Sequence, residues 1–158
     1  MKIFLLIISI IEFAIILIGI KVSKISMQKA KKHLSFSDKH LKLYLLLNKW
    51  LHLKRKNKRI SDYLTNNHYL SVIIYGVNTV GEQVIEELKG SGIEIVCGID
   101  QNADKIHADI KVIKPTDNIP DADAIIVTAI SDFMQIDEML HDKVLCPVIS
   151  LEDIIYSM

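Results

Sequence analysis

Between Ser71 and Asp100 the chain sets two short apolar runs around one helical stripe, with a glycine turn after the first run. Ser71-Val72-Ile73-Ile74-Tyr75 is apolar and β-branched, as a strand buried on both faces should be. From Thr79 to Lys89 the apolar residues fall at Val80, Val84, Ile85 and Leu88, a helical spacing closed by Gly90 and Gly92. Ile93–Ile99 is a second buried run, and it ends at Asp100. A helix of about eleven residues between two buried strands makes a βαβ unit with a right-handed crossover.

The turn reads Gly76-Val77-Asn78-Thr79-Val80-Gly81, a GxGxxG pattern with Asn at the middle position. Gly76 suits the tight turn and Gly81 the close packing of helix on strand; the middle position is where backbone approaches a pyrophosphate. Asn tolerates a left-handed turn better than other non-glycine residues, but its side chain enters the phosphate space. Asp100 follows Gly76 at the distance where an acid meets ribose hydroxyls. The alternation continues downstream. Ile110–Ile113 reads as a short strand, 115–120 as a loop between two prolines, and Asp123–Thr128 as a buried strand. Asp132–His141 reads as a helix and Cys146–Ile149 as a last strand. Ser150 caps a closing helix over Leu151–Tyr156. The expected fold is therefore α/β: a minimal Rossmann-like doubly wound parallel sheet over 69–158. Ligands of such sheets bind beyond the carboxyl ends of the strands. The candidate rim is Gly76, Asn78, Thr79, Gly81, Asp100, Thr128 and Ser131.

The chain has 158 residues and balances 19 Lys+Arg against 19 Asp+Glu, but the balance conceals a segregation. Residues 21–59 carry 13 Lys/Arg against one acid, Asp38, a net of +12. Residues 72–158 carry 16 acids against 5 bases, a net of −11. Residues 1–22 are almost wholly apolar. At about 1.5 Å per residue such a run approaches the ~30 Å hydrocarbon thickness of a bilayer. Glu12 interrupts it at a cost of about 2.5–3.5 kcal/mol, which the aliphatic neighbours offset. No small-x-small cleavage site follows, so the run reads as a retained transmembrane anchor over 1–22, not a signal peptide. The basic residues that follow it place the remainder at the cytoplasmic leaflet. Residues 23–68 read as a basic, amphipathic helical connector. Ser37 is expected to cap a helix over Asp38–Lys56, and a short helix over Ile60–Leu64 is expected to stop at Asn66-Asn67. Leu45–Trp50 is expected to pack on the following domain, on a partner or on the lipid surface, with packing on protein the favoured reading. Aromatic residues make up only 6% of the chain and no nucleic-acid motif accompanies the basic run, so no nucleic-acid partner is expected.

Catalytic patterns are not found. Tyr44, Tyr63, Tyr69 and Tyr75 are followed four residues later by Asn48, Asn67, Ile73 and Thr79, so the Tyr-x-x-x-Lys pair of short-chain dehydrogenases is missing. Neither a nucleophile elbow nor a Walker loop occurs, and the six histidines make no metal pair. Cys97 and Cys146 are far apart and read as inert thiols.

The segments Val72–Gly81, Gly98-Ile99-Asp100, Asp123–Ala129 and Cys146–Leu151 resemble the Rossmann-like, CoA-binding-type domains at the amino end of membrane-bound sugar-nucleotide dehydratases and epimerases of bacterial surface polysaccharide synthesis. The likeness covers about residues 60–157. The catalytic dehydratase domain has no counterpart here, so the resemblance implies an accessory module and carries over no activity. The regulatory NAD-binding domain of potassium-uptake systems is a second similar shape. The resemblance implies a membrane-anchored cytoplasmic binding module. Its ligand would be NAD, CoA or a nucleotide-sugar, and its partner a membrane enzyme of polysaccharide synthesis, with self-association open. The alternatives are an oxidoreductase or epimerase subunit completed by a partner chain, and a purely structural scaffold.

Overall fold

The β-branched runs do pair. In a computed structural model, which describes the backbone of residues 2–158 and the side chains from Gly19 onward, five strands form one parallel sheet. They are β1 (Ser71–Tyr75), β2 (Glu94–Ile99), β3 (Val112–Ile113), β4 (Ala124–Val127) and β5 (Val148–Ser150), and their order is β3-β2-β1-β4-β5. Val72–Tyr75 pairs in register with Ala124–Val127, and Ile73–Tyr75 pairs with Cys97–Ile99 after a shift between Val72 and Ile73. The helices are α1 (Lys2–Arg55), α2 (Ile60–Asn66), α3 (Thr79–Leu88), α4 (Phe133–Leu140) and α5 (Leu151–Ser157). This is an α/β fold with a parallel sheet, consistent with the Rossmann-like class expected from the sequence.

Contacts divide the chain into 1–42 and Leu43–Met158. In the second unit, side chains alternate across the sheet because successive strand residues face opposite sides. Val72, Ile74, Ala124 and Ile126 pack with α2, α3, α5 and the end of α1, through residues such as Trp50, Leu64, Val84 and Ile154. Ile73, Tyr75, Ile125 and Val127 lie on the other face with Ile136 and Leu140 of α4. Leu46, Trp50 and Leu53 of the connector are buried in this core, while Leu45 and Leu47 are exposed. Removing a buried Leu or Ile to Ala from such a core costs about 2–5 kcal/mol.

Several local expectations shift. Ser37 caps nothing: α1 runs through it unbroken, since no glycine or proline lies between Ile20 and Arg55. The helix ends at Arg55, one residue before the expected Lys56, and Asn57 (φ 56°) closes it in the left-handed region: Lys58 N–H bonds the Leu53 carbonyl (3.1 Å) and Asn57 N–H that of Lys54 (3.0 Å). The short helix stops at Asn66-Asn67 as expected, with Asn67 as its C-cap and His68 (φ 61°) as the left-handed residue of the same closure. Among the described residues no helix is long and apolar enough to cross a membrane. The anchor expected over 1–22 thus gains no support, and most of it, residues 1–18, falls outside the described side chains.

Candidate functional site

The order of the strands reverses at β1. The chain winds outward through β2 and β3, then returns to β4 on the other side. A crevice opens at the carboxyl ends of strands flanking such a switch point. Here it encloses about 380 Å³. Tyr75, Gly76 and Asn78 line it from the first turn, and Asp100, Gln101 and Asn102 from the second. Ala129, Asp132, Gln135, Ile136 and Met139 close it from the β4–α4 side.

Gly76 has φ +91°, and a Cβ there would lie 2.8 Å from Thr128 Oγ1. The turn therefore requires glycine. A Cβ on Gly81 would collide with the Gly76 carbonyl oxygen, so the third glycine brings α3 against the turn as the sequence suggests. Asn78 is the N-cap of α3. Its backbone is extended (φ −94°), not left-handed, and its Oδ1 accepts from Val80 N–H (2.9 Å) and Gly81 N–H (3.2 Å). Those are the helix-start amides available to a phosphate, and the side chain already satisfies them. Asp100 Oδ2 accepts from Val77 N–H (3.1 Å), and Oδ1 accepts from Asn102 N–H (2.8 Å). The carboxylate thus ties the two crevice turns together.

Thr128 Oγ1 is buried and donates to the Gly76 carbonyl at 2.5 Å, with the Tyr75 carbonyl at 3.2 Å. Of the candidate residues, Gly76, Asn78 and Asp100 come together on the crevice. Gly81 and Thr128 stand behind it and shape the turn, while Thr79 and Ser131 are not among its lining. Sequence reasoning missed Asp132, Gln135, Ile136 and Met139. They become legible only with the strand order, because the first turn after β4 faces the first turn after β1 once β4 is known to return beside β1.

The crevice is lined by two carboxylates, Asp100 and Asp132, several amides, and no Lys, Arg or His among the described residues. Burial, and then the negative charge of Asp100, raise the Tyr75 phenol above its ordinary range. Burial likewise raises both thiols, Cys97 and Cys146, above their ordinary range. Among the described residues no group of three or more His, Cys, Asp or Glu could hold a metal ion. Comparison with protein-family models, with curated proteins and with solved structures gives no match.

Proposed function

We propose that this chain is a membrane-tethered, Rossmann-like binding module that holds the hydroxyl-bearing part of a ligand, a nucleoside or sugar moiety, and performs no reaction of its own. The observation that carries the reading is Asp100. Two backbone amides hold its carboxylate in place at the crevice, and each oxygen keeps lone-pair capacity for a hydroxyl. The volume suits a nucleoside-sized group, at the lower end of the usual ~300–1,000 Å³ range. Two features oppose a phosphate at the turn: the Asp100 carboxylate repels it, and Asn78 has taken the amides it would need. The tether is the apolar run 1–22. The setting in surface-polysaccharide assembly rests on the segmental resemblance, which is why nucleotide-sugars belong in the test.

Calorimetry on the full chain in mild detergent, with adenosine, NAD, CoA and a nucleotide-sugar, tests the ligand. Binding of a nucleoside-bearing ligand is expected, weakened at least tenfold by Asp100→Asn and little changed by competing pyrophosphate. Heat from none of the four would sink the ligand reading. It would leave the scaffold reading, which the internally satisfied Asn78 cap favours.

A further inference from the structure

The last turns of α1 are apolar on two opposite sides. Leu46, Trp50 and Leu53 point into the core of their own unit. Across the helix, Tyr44, Leu45, Leu47 and Leu51 are 41–63% exposed. An ordinary surface helix carries its polar residues on that side. The sequence says what fits there. Ile20, Met27, Leu34, Leu41 and Asn48 recur at seven-residue spacing, and three residues after each stand Ser23, Ala30, Ser37, Tyr44 and Leu51. These are the a and d positions of a heptad, the repeat that winds one helix around another like itself. Nine charged residues lie between Ile20 and Leu51, and none occupies the seam. In the amino-terminal unit, taken by itself, Ile20, Met27, Leu34 and Leu41 are exposed as well.

We propose that two copies of this chain pair in parallel and in register through this seam of α1. Asn48 decides the orientation: a single Asn at an a position faces its own copy only in a parallel, in-register pair, and it selects two strands. The flanking positions agree. His33 (g) then faces Asp38 (e) of the other copy, and no lysine faces a lysine across the g–e contact. In the second unit the exposed Tyr44, Leu45, Leu47 and Leu51 give the pair an apolar surface to cover. The remaining lysines sit mainly on the outer positions, so their mutual repulsion is screened by salt. The inference does not depend on the ligand reading.

The test uses the full chain in mild detergent. Sedimentation velocity is expected to give a dimer that tightens as salt is raised. A Tyr44→Glu, Leu51→Glu double variant is expected to raise the dissociation constant at least tenfold while keeping its far-ultraviolet dichroism and Trp50 emission, because both side chains are exposed. In a Cys146→Ser background, Asn48→Cys is expected to form a disulfide-linked dimer on oxidation and Lys49→Cys to form little. A monomeric native chain would overturn the proposal. So would a dimer that survives the double variant, equal cross-linking at positions 48 and 49, or a monomer that uses this face only to adsorb on anionic vesicles.

Discussion

Glu87 is the perturbation from which the energetics can best be worked out. Its side chain is only 5% exposed, yet three elements meet on it. Trp50 Nε1–H of α1 donates to Oε2 at 2.9 Å, Lys54 Nζ pairs with the same oxygen at 2.9 Å, and Ile60 N–H at the start of α2 donates to Oε1 at 2.9 Å. Glu87→Ala leaves two buried donors without a partner. At about 1–3 kcal/mol each, plus the lost packing, the cost is about 3–5 kcal/mol. Against a typical total of ~5–15 kcal/mol this is a large share. Glu87→Gln keeps the shape, but its NH₂ must face one of the two donors, so it should cost about 2 kcal/mol. Lys54→Ala should cost less than about 1 kcal/mol, because that ammonium is 46% exposed. Urea unfolding of the full chain, followed by the emission of Trp50, the sole tryptophan, reads the same contact directly. With an m-value of about 1.5–2 kcal/mol/M, the Ala variant should lose roughly 2 M in midpoint. If Glu87→Ala shifts the midpoint no further than Lys54→Ala does, the carboxylate is not the clasp described here.

Three further outcomes follow from the same geometry. Gly81→Ala drives a Cβ into the Gly76 carbonyl and should destabilise by about 1–3 kcal/mol despite the better helix propensity of Ala; calorimetric melting should show the Tm falling by several degrees. Asp123 accepts from Ser71 N–H (2.7 Å) and Leu70 N–H (2.9 Å); Ser71 first, and then Leu70, hold its carboxyl below the ordinary range. A depressed carboxyl contributes stability above its unfolded value of about 3.9 that is lost as pH falls through the folded value. Asp123→Asn should therefore flatten the fall in urea midpoint below about pH 4, and an unchanged acid limb would refute the assignment. Asn78→Gly should cost only a few tenths of a kcal/mol as a cap while freeing the Val80 and Gly81 amides. Titration with ADP should then show tighter binding than to the native chain, and unchanged affinity would mean that those amides do not face the crevice.

Much of the sheet was legible because parallel strands buried on both faces announce themselves as apolar runs. Val72–Tyr75 stands out because Gly76 ends it, and Ala124–Val127 because the loop closing at Pro120 precedes it. The helix stops at Arg55 and Asn66 lie within a residue of their expected places, but the residues that close them were less legible: Asn57 and His68 adopt left-handed φ, a role that falls to glycine more often. Ser37 misled for the opposite reason: a good cap residue in a strongly helical stretch is overruled by its neighbours. In the site, the turn residues were readable from spacing, whereas the α4 side was not, because it depends on which strand returns beside β1.

The residues that make the turn look like a dinucleotide site are mostly occupied with one another. Asn78 satisfies the start of α3, Asp100 ties Val77 to Asn102, and Thr128 holds the Gly76 carbonyl. A phosphate would have to displace the first of these and approach the negative charge of the second. A hydroxyl displaces neither, since it can donate to a carboxylate oxygen that already accepts one amide. On the binding proposal, with the turn braced internally, discrimination among ligands would fall to the crevice side chains of α4, chiefly Gln135 and Met139. Substitutions there should alter which ligand binds without altering whether the turn forms, whereas substitutions at Gly76 or Thr128 should do the reverse.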